Sequence, residues 1–244
     1  MELRDTVSRS DSEEEKMNDI DVLKVLGMYA LILALMGGGS LMILSFSHPR
    51  RSKQETEKNE NEEETMNSKT RLYVDMDGTL AVFKVVDHLE QLYAPDYFRD
   101  LEPHENVVEA IRLLQRTNQY DIYIMSSVLS DSPHALQEKN EWLDQHLPEI
   151  PAEKRIFPPC GKNKLSYVPG GVRKNDCLLD DYSQNLRAWE PPAVGVKLMN
   201  GINGTRGSWQ GRRIQYDVPP TTMADELQKM IRSSERGKED DRQR

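Results

Sequence analysis

Cysteine is scarce in this chain: 244 residues contain two, Cys160 and Cys177. So few thiols exclude a disulfide framework, and their spacing matches no zinc pattern, so a reducing compartment is the simpler reading. Clustered Lys and Arg are also lacking. With a formal net charge of -9 at pH 7, a general binder of nucleic-acid backbones is excluded, because neutralising phosphates takes grouped cations. No internal repeat divides the chain, and nothing in it points to a specific protein partner. What is present is 37% hydrophobic residues, enough at this length for one ordinary core with polar attachments.

Charge is missing altogether from Val25 to Phe46, "VLGMYALILALMGGGSLMILSF". A helix of that length crosses a hydrocarbon core of ~30 Å, so the stretch reads as one transmembrane helix within residues 22–46. A secretory signal fits less well, since the preceding residues 1–21 are acidic and no small-residue cleavage site follows. A buried helical hairpin broken at Gly37-Gly38-Gly39 is the bland alternative. Arg50, Arg51 and Lys53 follow the span and Lys16 and Lys24 precede it, a bias that favours a cytoplasmic carboxyl side. Residues 1–21 read as disordered and 47–69 as a charged tether. The folded domain is expected over 70–232, with a disordered tail at 233–244. A product starting at Met66 would lose the span and keep the domain, and would be soluble in the cytoplasm.

Within the domain, apolar runs alternate with helical patterns as a parallel sheet requires. "RLYVDMDGT" reads as a buried strand running into a turn at Gly78. "ENVVEAIRLLQRT" has helical spacing of apolar residues, and "YDIYIM" is a strand ending at Ser126-Ser127. "ALQEKNEWLDQHL" is a helix stopped by Pro148, in which Trp142 and Leu143 read as core. "RIF" is a short strand followed by the loop "PPCGKNK", with a helix starting near Asn163. "DCLLDDYSQNLRAW" gives a strand, two aspartates and a helix, and "AVGVKLM" is expected as the last core strand.

Polar groups therefore gather at strand ends: Asp75 with Asp77, Ser126 with Ser127, Lys162 with Lys164, and Asp180 with Asp181. In open α/β sheets these ends converge on one crevice. Carboxylates so close repel unless a cation or a shared proton intervenes. None of the five histidines lies beside these motifs, and Lys174 reads as a solvated surface residue.

These four motifs, in this order, resemble those of the haloacid dehalogenase superfamily, and the D-x-D-G-T form resembles its phosphatases. "DMDGTLAVF", "APDYFRDLEP", "EKNEWLDQHL" and "CLLDDY" are similar in turn to segments of the 5'(3')-deoxyribonucleotidases, the cytosolic type C 5'-nucleotidases. The likeness covers about residues 70–215. This chain departs from that family in a shorter stretch after Phe83, in Ser126-Ser127-Val128 for T-S-P, and in the insertion "SYVPGGVRKN" before Asp180.

The resemblance implies an α/β fold: a Rossmann-like parallel sheet with helices on both faces and a small helical cap at about 84–104. It implies Asp75 as nucleophile, forming an aspartyl-phosphate, and Asp77 as general acid and base. Mg²⁺ would be held by Asp75, Asp77 through its carbonyl, and Asp180 or Asp181. Ser126, Ser127 and the turn at Gly78 would bind phosphate, and Lys164 or Lys162 would offset its charge. Lys164 is favoured, as a lysine in a first helical turn is held more firmly than one in a loop. Phe83, Tyr97 and Phe98 are candidates to stack on a base, as is Tyr93, with simple packing as the alternative for each. The implied activity is phosphomonoester hydrolysis on a nucleoside monophosphate. The alternatives are another small phosphometabolite such as a sugar phosphate, a membrane-anchored protein phosphatase, or a tethered binding module without turnover.

The uncharged run generates a direct test. Full-length protein is expected to stay in membranes after a carbonate wash, with residues 70–244 shielded from external protease in intact cells. A soluble product whose amino terminus maps to Met66 would remove the span from the working protein.

Overall fold

Leu72, Tyr73 and Val74 are completely buried, as a strand covered on both faces must be, and they centre β1 (Thr70–Val74). The computed structural model describes residues 69–191, 193–203 and 209–236. The expected transmembrane helix, the acidic amino terminus and the tether lie outside these residues. No described helix is long and apolar enough to cross a membrane.

After β1 the chain makes a loop with one 3-10 turn at Leu89–Tyr93 and enters α1 (Glu105–Arg116). There follow β2 (Tyr120–Met125), α2 (Ala135–His146), β3 (Arg155–Ile156) and a 3-10 turn at Lys164–Tyr167. β4 (Cys177–Asp180), α3 (Ser183–Trp189), β5 (Val194–Met199), β6 (Arg212–Gln215) and α4 (Pro220–Arg236) complete the domain. The six strands form one sheet in the order β3-β2-β1-β4-β5-β6, and every neighbouring pair is parallel. In this doubly wound order the topology reverses between β1 and β4, and ligands bind at the carboxyl ends flanking such a reversal.

Alternation along the strands divides the core. Leu72, Val74, Ile122, Ile124, Leu179 and Val196 face α1, α2 and α4. Tyr73, Met125 and Leu178 face the other way, against Leu186 and Trp189 of the short α3. Both faces are thus covered by helix, one by three and the other by two turns of helix and a loop.

Four expectations need correction. "AVGVKLM" is β5, but it is not last: β6 pairs outside it, and with only Ile214 buried it carries no apolar pattern. The helix near Asn163 is a four-residue 3-10 turn capped by the Asn163 side chain; Pro169-Gly170-Gly171, both glycines at positive φ, stop it. The cap at 84–104 contains no α-helix. Pro95 and a left-handed Asp96 (φ 72°) interrupt it, and it is better described as a strap. Both ends of the strap are stitched together, by Val82 N–H to Glu102 O (2.7 Å) and His104 N–H to Leu80 O (2.7 Å). Last, α4 continues through 233–236, where a tail was expected, because no helix breaker occurs before Gly237.

The insertion "SYVPGGVRKN" is fastened beneath the sheet by one buried arginine. Arg71 donates from Nε to Asp176 Oδ1 (2.9 Å) and from Nη2 to Asp176 Oδ2 (2.5 Å). It also donates to the carbonyls of Pro169 (2.6 Å) and Gly171 (2.7 Å). The two side chains are 4% and 2% exposed, so deleting one partner strands a buried charge. Asp176→Ala is expected to lower stability by about 3–5 kcal/mol in chemical denaturation, and Arg71→Met with Asp176→Leu to recover most of that loss.

Candidate active site

The parallel register of β1 and β4 sets Leu72 beside Cys177 and Val74 beside Leu179, so both strands end together. Past those ends, the Asp75 N–H donates to Leu179 O (2.9 Å), which brings Asp75 against Asp180 and Asp181. The three carboxylates are buried, and each offers an oxygen within 4.8 Å of the others.

Lys164 enters this cluster. Its ammonium lies 2.8 Å from Asp75 Oδ1 and 2.7 Å from Asp180 Oδ2. Burial works to lower the Lys164 pKa; the Asp180 and Asp75 charges overcome it and leave the ammonium firmly protonated. Asp180 is saturated by donors, since Oδ2 also accepts from Asn185 Nδ2 (2.9 Å) and Oδ1 from the Tyr182 N–H (2.7 Å). Asp181 is held differently. Its Oδ2 accepts from Asn200 (2.8 Å) and Asn203 (2.6 Å), and its carbonyl accepts from the buried Lys197. Burial raises both carboxyl groups from the ordinary 3.8, Asp180 to about 6 and Asp181 to about 7, the latter also repelled by Asp180 and Asp75.

A second cation, Lys139 of α2, stands beside Asp77 and is not among the expected site residues. It is completely buried and donates to Asp77 Oδ2 (2.5 Å), Ser126 Oγ (3.0 Å) and Ser127 O (2.7 Å). Burial raises the Asp77 pKa against the pull of Lys139, and Asp75 adds to the rise. Asp77 Oδ1 is buried without a hydrogen-bond partner. A sequence signal for Lys139 exists: the buried face of α2 is Ala135, Glu138, Lys139, Trp142 and Leu143. A helical core stripe with two charges in it needs an explanation.

Gly78 has φ 77°, and a Cβ there would stand 2.3 Å from Asp181 Oδ2. Its own N–H donates to Ala81 O (2.8 Å) within the turn. The glycine is required by the turn and by the close approach of Asp181.

Two connected chambers open above these groups. The inner, about 70 Å³, is lined by Asp75, Asp77, Ser127, Lys164, Asp181 and Asn203 among others. The outer, about 290 Å³, shares Asp77, Phe83 and Ser127 and adds Leu92, Phe98, Leu129 and Lys162. Of the lysines left open, Lys164 is therefore at the carboxylates and Lys162 at the exposed rim of the outer chamber. Of the aromatic candidates, Phe83 and Phe98 line that chamber. Tyr97 does not: its hydroxyl donates to Lys84 O (2.6 Å) and its ring packs edge-on against Phe83 and Phe98. Tyr93 stands in an adjoining pocket, bonded to Asp131. None of the described histidines lines either chamber, and Lys174 is exposed.

A family model described as 5' nucleotidase, deoxy (pyrimidine), cytosolic type C protein matches residues 48–205. The chain belongs to the cytosolic type C 5'-nucleotidase family. It is also similar to the human protein 5'(3')-deoxyribonucleotidase, cytosolic type, with 33% identity over 64 residues. That match takes in 26% of this chain and 32% of the human protein, so it spans about a third of that relative. The membership places Asp75, Asp77 and Asp180-Asp181 within the matched stretch of the type C nucleotidase model.

Raised carboxyl pKa values make stability depend on pH with a definite sign. Between about pH 4 and 7 the metal-free native state binds more protons at Asp180 and Asp181 than the unfolded chain, so stability falls as pH rises through that window. Thermal unfolding in EDTA is expected to show a falling Tm from pH 5 to 7.5. An added divalent cation that takes oxygen ligands is expected to raise Tm more at the upper end, where the carboxylates are ionised.

Proposed function

We propose that this domain is a Mg²⁺-dependent phosphomonoester hydrolase that forms an aspartyl-phosphate on Asp75 and prefers nucleoside monophosphates. The observation that carries the reading is a buried Asp75–Asp180–Asp181 triangle beside Asp77, which Lys139 ties to Ser126, with Asp75, Asp77 and Asp181 all lining one small chamber. Three buried carboxylates with a single lysine among them fit a divalent cation, because oxygen donors this close are in excess of the positive charge available. Asp75, Asp181 and the Asp77 carbonyl would hold it, Asp180 being saturated by Lys164, Asn185 and the Tyr182 amide. Once bound, such an ion would neutralise phosphoryl and carboxylate oxygens.

The residues of the chain then divide the work. A carboxylate oxygen of Asp75 attacks phosphorus as the bond to the ester oxygen breaks, and Asp77 gives its proton to the departing alkoxide. Its raised pKa suits it to hold that proton. In the second step Asp77 takes a proton from water as that water attacks phosphorus, which releases phosphate and restores the Asp75 carboxylate. Lys164, fixed by Asp75 and Asp180, offsets charge that grows on the phosphoryl oxygens, and the Ser126 and Ser127 region supplies hydrogen bonds to them. Lys139 holds Asp77 in place and anchors Ser126. A binding module would have no use for such an acid–base pair.

Substrate choice belongs to the outer chamber, since the inner one touches only the phosphoryl group. Its volume is near the lower end of the ~300–1,000 Å³ usual for ligand pockets, and its apolar walls Phe83, Phe98, Leu92 and Leu129 suit a flat ring better than a sugar. Purified domain with Mg²⁺ is expected to hydrolyse nucleoside monophosphates, deoxy-pyrimidine ones included, ahead of sugar phosphates. The margin should be modest, about tenfold in kcat/KM, as one stacking contact allows. EDTA should abolish turnover reversibly, and Asp75→Asn permanently. Sugar phosphates leading by a similar margin would overturn the substrate assignment and leave the phosphatase.

A further inference from the structure

Glu138 takes no part in the chemistry above, yet it is only 4% exposed and precedes Lys139 in the chain. None of the ion pairs among the described residues includes it. Its oxygens instead accept from two strap amides, Oε1 from the Asp96 N–H (2.6 Å) and Oε2 from the Phe98 N–H (3.0 Å). The intervening backbone is turned by Asp96 at φ 72°, a conformation that aims neighbouring N–H groups into one concavity for an anion. A residue with a side chain stays in it only when its surroundings hold it there.

What the carboxylate holds is a wall of the site. Phe98, whose amide it binds, lines the outer chamber, and its ring lies 4.7 Å from the Lys139 ammonium. One turn of α2 therefore fixes both the cation that meets Asp77 and the segment that covers the leaving group. The base of the strap is secured independently. Trp142 Nε1 donates to Leu101 O (2.7 Å), and the Val82–Glu102 and Leu80–His104 bonds close its neck. Arg99 Nη1 also donates to Glu141 Oε2 (3.0 Å), so removing the Glu138 charge frees the Asp96 and Phe98 amides and leaves the strap attached.

We propose that Glu138 is a positioning residue for substrate selection, a buried carboxylate clamp that seats Phe98 over the outer chamber by binding the Asp96 and Phe98 amides. This rests on the phosphomonoesterase reading of the site. A clamp of this kind affects the half of the substrate beyond phosphorus and leaves the inner chamber alone, which a general loss of packing would not.

The test is Glu138→Gln in the full chain. Its amide keeps one acceptor and turns its NH₂ toward the other strap donor. Two constants are compared: KM for deoxyuridine monophosphate, and the inhibition constant of inorganic phosphate, which needs the inner chamber only. The expected result is a KM raised about tenfold, the worth of one aromatic contact, with the phosphate constant within about twofold of wild type. Amide exchange at 96–98 is expected to quicken in the same variant. Equal shifts of both constants, or no shift in either, overturn the clamp. Should the glutamine variant fail to fold, Glu138→Asp, too short to reach both amides, is read by the same split. If wild-type protein leaves the nucleotide untouched but hydrolyses p-nitrophenyl phosphate, the nucleotide reading has failed. The clamp is then judged by the same split on the aryl ester, whose ring occupies the outer chamber.

Discussion

The pairing of β1 with β4 is the constraint on which the rest of the molecule depends. Parallel register at a topological reversal brings Asp75 to the level of Leu179 and Asp180, and no side-chain choice elsewhere relaxes that crowding. Unit like charges ~4–5 Å apart repel by roughly 3–4 kcal/mol per pair at an effective dielectric of ~20. The fold meets this with the Lys164 ammonium, with asparagine and backbone donors, and with carboxyl groups whose pKa values rise. A cluster arranged that way is costly to the metal-free protein and receptive to a hard cation. That tension between stability and function is the physical core of the candidate site.

The second organiser is α2. Its buried face continues the apolar core through Ala135, Trp142 and Leu143 and inserts Glu138 and Lys139 into the same stripe. From there Lys139 reaches Asp77 and Ser126, and Glu138 reaches the strap. On the proposed reading, the sheet would supply the groups that meet a phosphoryl oxygen, and a single helix would join them to the walls around the rest of the substrate.

Much of this was legible in the sequence because it is written in local patterns. Alternating buried runs and strand-end aspartates identify β1, β2 and β4 and the edge where ligands meet them. Asp75, Asp180 and Lys164 are brought together as that edge predicts. What was not legible depends on long-range contacts. β6 has one buried residue, Ile214, and exists because β5 offers an open edge. Lys139 lies in mid-helix, far from any strand end, and only its place in the core stripe marks it. The strap shows the limit of resemblance: the sequence likeness suggested a helical cap, and Pro95 with the left-handed Asp96 makes an irregular one. Gly78 has a further reason to be glycine that local pattern does not show, the close approach of Asp181.

If Asp75 attacks phosphorus, the phosphoryl group must pass through this carboxylate on its way to water. Rapid acid quench during turnover of a phosphate-labelled substrate, followed by peptide mapping, tests it most directly. Transient label is expected on the peptide containing Asp75, appearing before free phosphate and decaying as phosphate is released. Label that passes to phosphate with no protein-bound phase, or that settles on a peptide lacking Asp75, would contradict it.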